Sequence, residues 1–185
     1  MRWKPPQPVA QWSGIRECTA FSAAAPQSTV GISLIGNIPM SEDCLYLNIL
    51  TPAKTASDKL PVMVWMHGGA LITGSGIVGP ALQLLLKGVV LVGVNMRLGP
   101  LGLLAHPLLS RESPKGVSGN YLFLDMVAAL QWIRINISAF GGDPDCVTIF
   151  GESGGSTKVV NLMASPLAKG LFHRAIGESE CGLGT

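Results

Sequence analysis

Charge is scarce in this sequence: Asp, Glu, Lys and Arg together make up 13% of its 185 residues. That excludes the polar, strongly charged composition of a disordered chain. A hydrophobic content of 48% fits a densely packed domain with many buried strands. The formal net charge is only +2, and the lysines and arginines neither cluster nor interleave with aromatics, so no nucleic-acid partner is expected. Cysteine is sparse too. Cys18, Cys44, Cys146 and Cys181 form no C-x-x-C pair and have no nearby pair of histidines, so no zinc site, and no metal or cofactor of any kind, is expected. The opening MRWKPPQPVAQW lacks a charged-then-apolar signal segment; if that start is genuine the expected location is cytoplasmic, and otherwise it is open. Even the longest stretch without Lys, Arg, Asp or Glu, Leu60–Leu86, is interrupted by glycines, Pro61, Pro80 and His67. It reads as strand, loop and helix, and no membrane span is expected.

A chain of this length supports one core that buries roughly 70% of its unfolded surface. Residues 1–44 are rich in Pro, Ala, Ser and Gly and read as extended loops. LYLNILTP (45–52) predicts a strand ended by Pro52, and the Val-rich runs PVMVWM (61–66) and VVLVGVNM (89–96) predict strands buried on both faces. PALQLLLKG between them is a short helix candidate stopped by Gly88. From Tyr121 to Phe140, the residues Leu122, Met126, Leu130, Ile133 and Ile137 recur at helical spacing and define one apolar face. VTIFG (147–151) is a further strand, followed by a helix from about Gly154 to Met163 and a last apolar run, RAIGES, that reads as a strand. Strands alternating with helices predict an α/β fold with a mostly parallel sheet, and a site beyond the carboxyl ends of its strands.

Two segments carry chemistry. Gly151-Glu152-Ser153-Gly154-Gly155 matches G-x-S-x-G with a strand before it and a helix after it. There the serine sits on a strained turn that lifts its Oγ clear of the sheet, and flanking side chains would collide. MHGGAL (66–71) follows another strand with small residues whose backbone N–H groups can approach a substrate oxygen, as an oxyanion hole requires. GSGIVG (74–79) is formally a dinucleotide-binding G-x-G-x-x-G. It starts too far beyond its strand, and no Asp or Glu lies between Asp58 and Glu112 to hold a ribose. Three histidines remain, His67, His106 and His173. After Ser153 the chain offers His173, Glu178 and Glu180, in an order opposite to serine–acid–histidine, so His173 reads as a packing or surface residue.

SEDCLYLNI (41–49), HGGA (67–70), NMRLGPLGLL (95–104), SGNYLFLD (118–125), FGGDPDCVTIFGESGGS (140–156) and SPLAKGLFHRAIGES (165–179) together resemble the type-B carboxylesterase/lipase family, its bacterial branch in particular. The resemblance implies a partial α/β-hydrolase domain over residues 1–185. It would lack the family's N-terminal hairpin and the C-terminal half that carries the triad acid and histidine. It also implies cleavage of small carboxylic esters through an acyl-enzyme on Ser153, with Gly69, Ala70 and Gly154 as oxyanion donors. Two structural ion pairs are implied, Arg16 with Glu42 and Arg97 with Asp125, and Glu152 is expected to be structural, turned away from Oγ. The family's partner for Cys44 lies in an ACPQ segment that here reads Ala24-Ala25-Pro26-Gln27, so a free Cys44 is expected, with Cys18 as the alternative partner. NYLFLDM also replaces the family's NYGLLDQ, and the loop after Gly76 is shortened. A non-catalytic interaction module is the alternative function. An inactive fragment that associates through exposed core is the third.

Overall fold

The computed structural model describes residues 2–28, 37–77 and 79–179; Glu180 and Cys181 lie outside them. Among the described residues, β1 (Leu47–Leu50), β2 (Leu60–Met66), β3 (Val90–Val94), β4 (Gly142–Glu152) and β5 (Arg174–Glu178) form one sheet in the order β1-β3-β2-β4-β5. β1 runs antiparallel to β3, and the other neighbouring strands are parallel. The two Val-rich runs differ: all of β3 is buried as its composition predicts, whereas β2 alternates, with Val62, Val64 and Met66 buried and Met63 and Trp65 on its other face only half-buried; Val147 and Ile149 of β4 are buried. β4 begins five residues earlier than predicted. Its first residues join β2 through a register shift between Leu60 and Val62, an irregularity that no alternation in GGDPD announces.

Among the described residues four α-helices accompany the sheet: α1 (Gly99–Leu103), α2 (Pro107–Glu112), α3 (Tyr121–Asn136) and α4 (Gly154–Ala164). The predicted face of α3 is its buried face, since Leu122, Met126, Leu130 and Ile133 are fully buried in the core cluster that contains Val62, Val64, Val90 and Val92. Ile137 continues that face in a 3-10 turn, Ile137–Phe140, closed where the left-handed Gly141 donates its N–H to Ile137 and Ser138. Together α3 and this turn, Tyr121–Phe140, are long and apolar enough to cross a membrane, but packing on the sheet accounts for the apolar face. The segment between β2 and β3 winds as a 3-10 helix, Gly79–Lys87. α1 and α2 are too short to leave a periodic signal.

The implied pair of Arg16 with Glu42 does not form. Arg2 takes Glu42 instead, with Nη2 2.5 Å from Oε1, because the opening segment is pinned nearby: Trp3 Nε1 donates to the Pro100 carbonyl at 2.9 Å and Arg97 Nη1 to the Lys4 carbonyl at 2.8 Å. Arg16 stacks on Trp12, 4.4 Å from the ring centre. Arg97 and Asp125 do pair, Nη2 to Oδ1 at 2.6 Å and Nε to Oδ2 at 2.8 Å, and the Arg97 N–H adds a third bond. Cys44 is a free thiol packed in the same core as Ala25, and Cys18 is free and exposed. Burial, chiefly, pushes the Cys44 thiol up to about 11.

The strand order fixes where a site can lie. From β2 the chain moves to β3 on one side and then crosses to β4 on the other, so the carboxyl ends of β2 and β4 flank a topological switch point. Open parallel sheets bind ligands in that crevice.

Candidate active site

β2 and β4 end side by side, Met66 opposite Gly151, which brings the HGGA loop against the turn after β4. At the tip of that turn Ser153 adopts φ 56 and ψ −125, a conformation that costs a non-glycine residue about 1–3 kcal/mol. The surroundings hold it there. Its N–H donates to the Glu178 carbonyl at 2.9 Å, and its carbonyl accepts from the N–H of Ser156 at 2.8 Å as α4 begins. Gly151 is required by contact, since a Cβ there would stand 2.6 Å from the Met66 carbonyl oxygen. Gly155 meets the same oxygen, so the turn fits against β2 only without side chains on both sides of the serine.

The loop after β2 turns sharply through three consecutive residues with positive φ, Gly69 (92°), Ala70 (51°) and Leu71 (63°). Its backbone touches the turn: a Cβ on Gly154 would lie 2.9 Å from the Ala70 nitrogen, and one on Gly68 3.6 Å from the Ser153 Cβ. In the hydrogen bonds among the described residues, the N–H groups of Gly69, Ala70 and Gly154 donate to nothing. Unpaired donors gathered beside a serine hydroxyl can stabilise negative charge developing on a bound oxygen. The far side of the loop is tied down. The Gly69 carbonyl accepts from the N–H groups of Ile72 and Thr73, each at 3.0 Å. Gln27 clamps Gly74 from both sides, accepting its N–H at 2.7 Å and donating to its carbonyl at 2.9 Å.

Among the described residues no histidine ring hydrogen-bonds Ser153. His67 is buried, with Nδ1 2.8 Å from the Gly68 carbonyl. That acceptor requires the Nδ1–H tautomer, which leaves Nε2 a buried lone pair without a partner. Burial first and the Lys158 charge second hold its pKa down to about 3. His106 caps α2, its Nδ1 accepting the Leu108 N–H at 3.2 Å. His173 lies beside the middle of β4, exchanging hydrogen bonds with the Val147 backbone. Six residues of strand, about 20 Å at ~3.3 Å each, separate that level from Ser153. Glu178 stands beside the turn but contributes its carbonyl, and the Glu152 side chain is exposed next to Gly68.

In the formal G-x-G-x-x-G segment, whose Val78 lies outside the described residues, Gly76 is packed against the sheet. The Gly76 N–H donates to Asn95 Oδ1 at 2.6 Å and its carbonyl accepts from Asn48 at 3.1 Å. A Cβ on Gly76 would press 2.8 Å from the β3 backbone. Sequence reasoning missed Asn95 and Gln27 as organisers of these loops, and it missed Lys158. One signal for the lysine was available: on α4 the buried Gly155, Val159 and Leu162 mark an inward face, and Lys158 falls on it.

A sequence model of the carboxylesterase family matches residues 1–183. The chain is 47% identical over 97% of its length to the fumonisin B1 esterase of Sphingopyxis macrogoltabida, covering 34% of that protein. It is 46% identical over 96% of its length to the para-nitrobenzyl esterase of Bacillus subtilis, covering 36%. Among solved structures, an esterase from Clostridium hathewayi that can hydrolyse aliphatic aromatic polyesters superposes with a TM-score of 0.86 at 42% identity, over 95% of this chain and 37% of that one. A PNB esterase superposes at 0.81 and 43% identity, over 97% and 37%. The partial sheet and its helices thus have the α/β-hydrolase fold of carboxylesterases. The chain spans about a third of the length of the relatives it matches.

Proposed function

Because the chain belongs to the carboxylesterase family, we propose that it carries the nucleophile and the oxyanion site of a serine carboxylesterase acting on small carboxylic esters. The observation that carries this reading is the strained Ser153 set against unpaired Gly69, Ala70 and Gly154 N–H groups at the switch point. In the first step Ser153 Oγ attacks the ester carbonyl carbon and gives up its proton to a base. The carbonyl oxygen takes up the negative charge, and the three backbone donors stabilise it. Collapse of the tetrahedral adduct breaks the bond to the alkoxy oxygen, which leaves protonated as the alcohol. Water then attacks the acyl-serine by the same route, releasing the acid and restoring Oγ–H.

The base is the part the described residues do not bring to Ser153. His67 is neutral and hydrogen-bonded to its own loop, His106 caps a helix, and His173 sits beside mid-strand Val147, six strand residues back from Ser153. In this reading the base and its orienting acid belong to other segments, as relatives three times as long allow. The 185-residue chain alone is a weak catalyst, since loss of triad members can leave roughly 10³ to 10⁴-fold acceleration over water from binding and the oxyanion site.

Turnover of p-nitrophenyl butyrate by the purified chain and by Ser153→Ala tests the assignment. A slow release of p-nitrophenol that disappears in the variant is expected. Equal rates in the two proteins would remove Ser153 as nucleophile, and a full esterase rate abolished by His173→Ala would overturn the placement of the base elsewhere.

A further inference from the structure

We propose that Lys158 is a positioning residue for the oxyanion loop, fixing from beneath the peptide that leads into Gly68, Gly69 and Ala70. This rests on the oxyanion reading given above. Lys158 is fully buried, on the first turns of the helix that Ser153 opens. Its Nζ donates to the His67 carbonyl at 2.7 Å. Lysine is almost never fully buried unless paired, yet no carboxylate contacts this one among the described residues. Its neighbouring titratable ring, His67 with Nδ1 at 3.5 Å, already directs that nitrogen's hydrogen to the Gly68 carbonyl, so this contact adds no second bond. The backbone carbonyl is therefore what the lysine serves.

The geometry gives that bond a consequence. The His67 carbonyl and the Gly68 N–H belong to one planar trans peptide and point in opposite directions. Holding the oxygen toward α4 fixes the plane from which the loop turns through its three positive-φ residues. Other bonds secure the remainder, the Gly69 carbonyl by Ile72 and Thr73 and Gly74 by Gln27. At the entrance, Lys158 holds the His67 carbonyl from α4, beside the bond that the His67 ring makes to the Gly68 carbonyl of its own loop. A charged amine and a neutral one both carry a hydrogen to donate, so the bond survives a change of protonation. The same helix thus sets the nucleophile at its first turn and the donor loop one turn further on.

The test compares the 185-residue chain with Lys158→Met, which keeps the volume and removes the donor. Methionine avoids the desolvation of a buried amine, so the thermal midpoint is expected to stay level or rise. Amide exchange over residues 67–74 should meanwhile accelerate about 10-fold, with β3 and α3 unchanged. The Ser153-dependent rate with p-nitrophenyl butyrate should fall about 10-fold to 100-fold through kcat, with KM little altered, as for loss of transition-state donors. Unchanged exchange in the loop would overturn the proposal. A drop in midpoint with faster exchange throughout the core would overturn it as well, because it would make the lysine a packing residue. If Ser153→Ala shows that the hydrolysis is not Ser153's, the ester reading falls, and loop exchange in Lys158→Met still decides whether the lysine holds the loop.

Discussion

Among the described residues, two places that bury ionisable side chains are built on opposite terms. Arg97 and Asp125 satisfy one another: a two-pronged ion pair, a third bond from the Arg97 N–H, and a further arginine bond to the Lys4 carbonyl. Burial raises the Asp125 pKa, and Arg97 works against that rise. Lys158 and His67 are both bases, so neither can neutralise the other. Each is pushed toward its uncharged form, the lysine to about 7 by burial and the histidine to about 3 by burial and the lysine's charge. The first arrangement joins the start of α1 to α3 and the opening segment. The second lies under the loop that faces Ser153, where its amine is placed to hold a carbonyl and adds no charge balance. A buried pair of opposite sign reads as scaffold. A buried amine held only by backbone points to a task at the site.

The contrast can be broken most severely from the scaffold side. Asp125→Ala leaves the Arg97 guanidinium buried without its carboxylate, and the expected loss is about 3–5 kcal/mol, read as a fall in the urea midpoint. Replacing Lys158, by contrast, should not lower that midpoint at all.

A pH series sharpens the difference. The folded-state pKa of Lys158 lies below its unfolded value of 10.5, so between about 7 and 10.5 the unfolded chain binds more protons and stability rises with pH, by at most about 1.4 kcal/mol per unit. Read the other way, that contribution is lost as pH falls through about 7. Cys44 has the opposite sign. Its pKa is raised from 9.0 to about 11, so the stability it lends is present below 9 and lost as pH rises toward 11. The window from 7 to 9 therefore belongs to Lys158. Urea unfolding there should show rising stability in the unaltered chain and a flat profile in Lys158→Met. A rise that persists in the variant would assign the effect to another group.

The smallest effect is expected at the surface pair that the resemblance did not foresee. Arg2 and Glu42 are both exposed, and exposed pairs contribute little because water and salt screen them. Arg2→Ala should leave the thermal midpoint within measurement error, and Arg16→Ala should match it. A clear drop for Arg2→Ala alone would mean that the opening segment is held through this pair and not through Trp3 and Lys4.

Much of this was legible along the chain. The Val-rich runs became β2 and β3, the five spaced apolar residues of 122–137 became the buried face of α3 and its closing turn, and the glycines around Ser153 stand where side chains would strike β2. Cys44 is a free thiol, the outcome expected from Ala25 standing where the resemblance puts its partner. What escaped notice depended on long-range placement. Gln27 and Asn95 organise loops far along the chain, through 47 and 19 residues of separation. Lys158 was overlooked because lysine is ordinarily read as surface, although its spacing with Val159 and Leu162 marked an inward face. Glu42 found Arg2 because Trp3 is pinned to Pro100 of the first helix and Lys4 to Arg97 just before it, contacts no local pattern encodes.

By itself the sequence determined the periodic elements, the family and the serine on its turn, because burial patterns and steric demands for glycine are written locally in residue type. Tertiary structure decided which groups meet: the elbow against the HGGA loop across adjoining strands, His173 against Val147 in the middle of β4, and the Lys158 amine under the His67 carbonyl. Those outcomes depend on strand order and register, which place residues tens of positions apart within a hydrogen bond of one another or about 20 Å away.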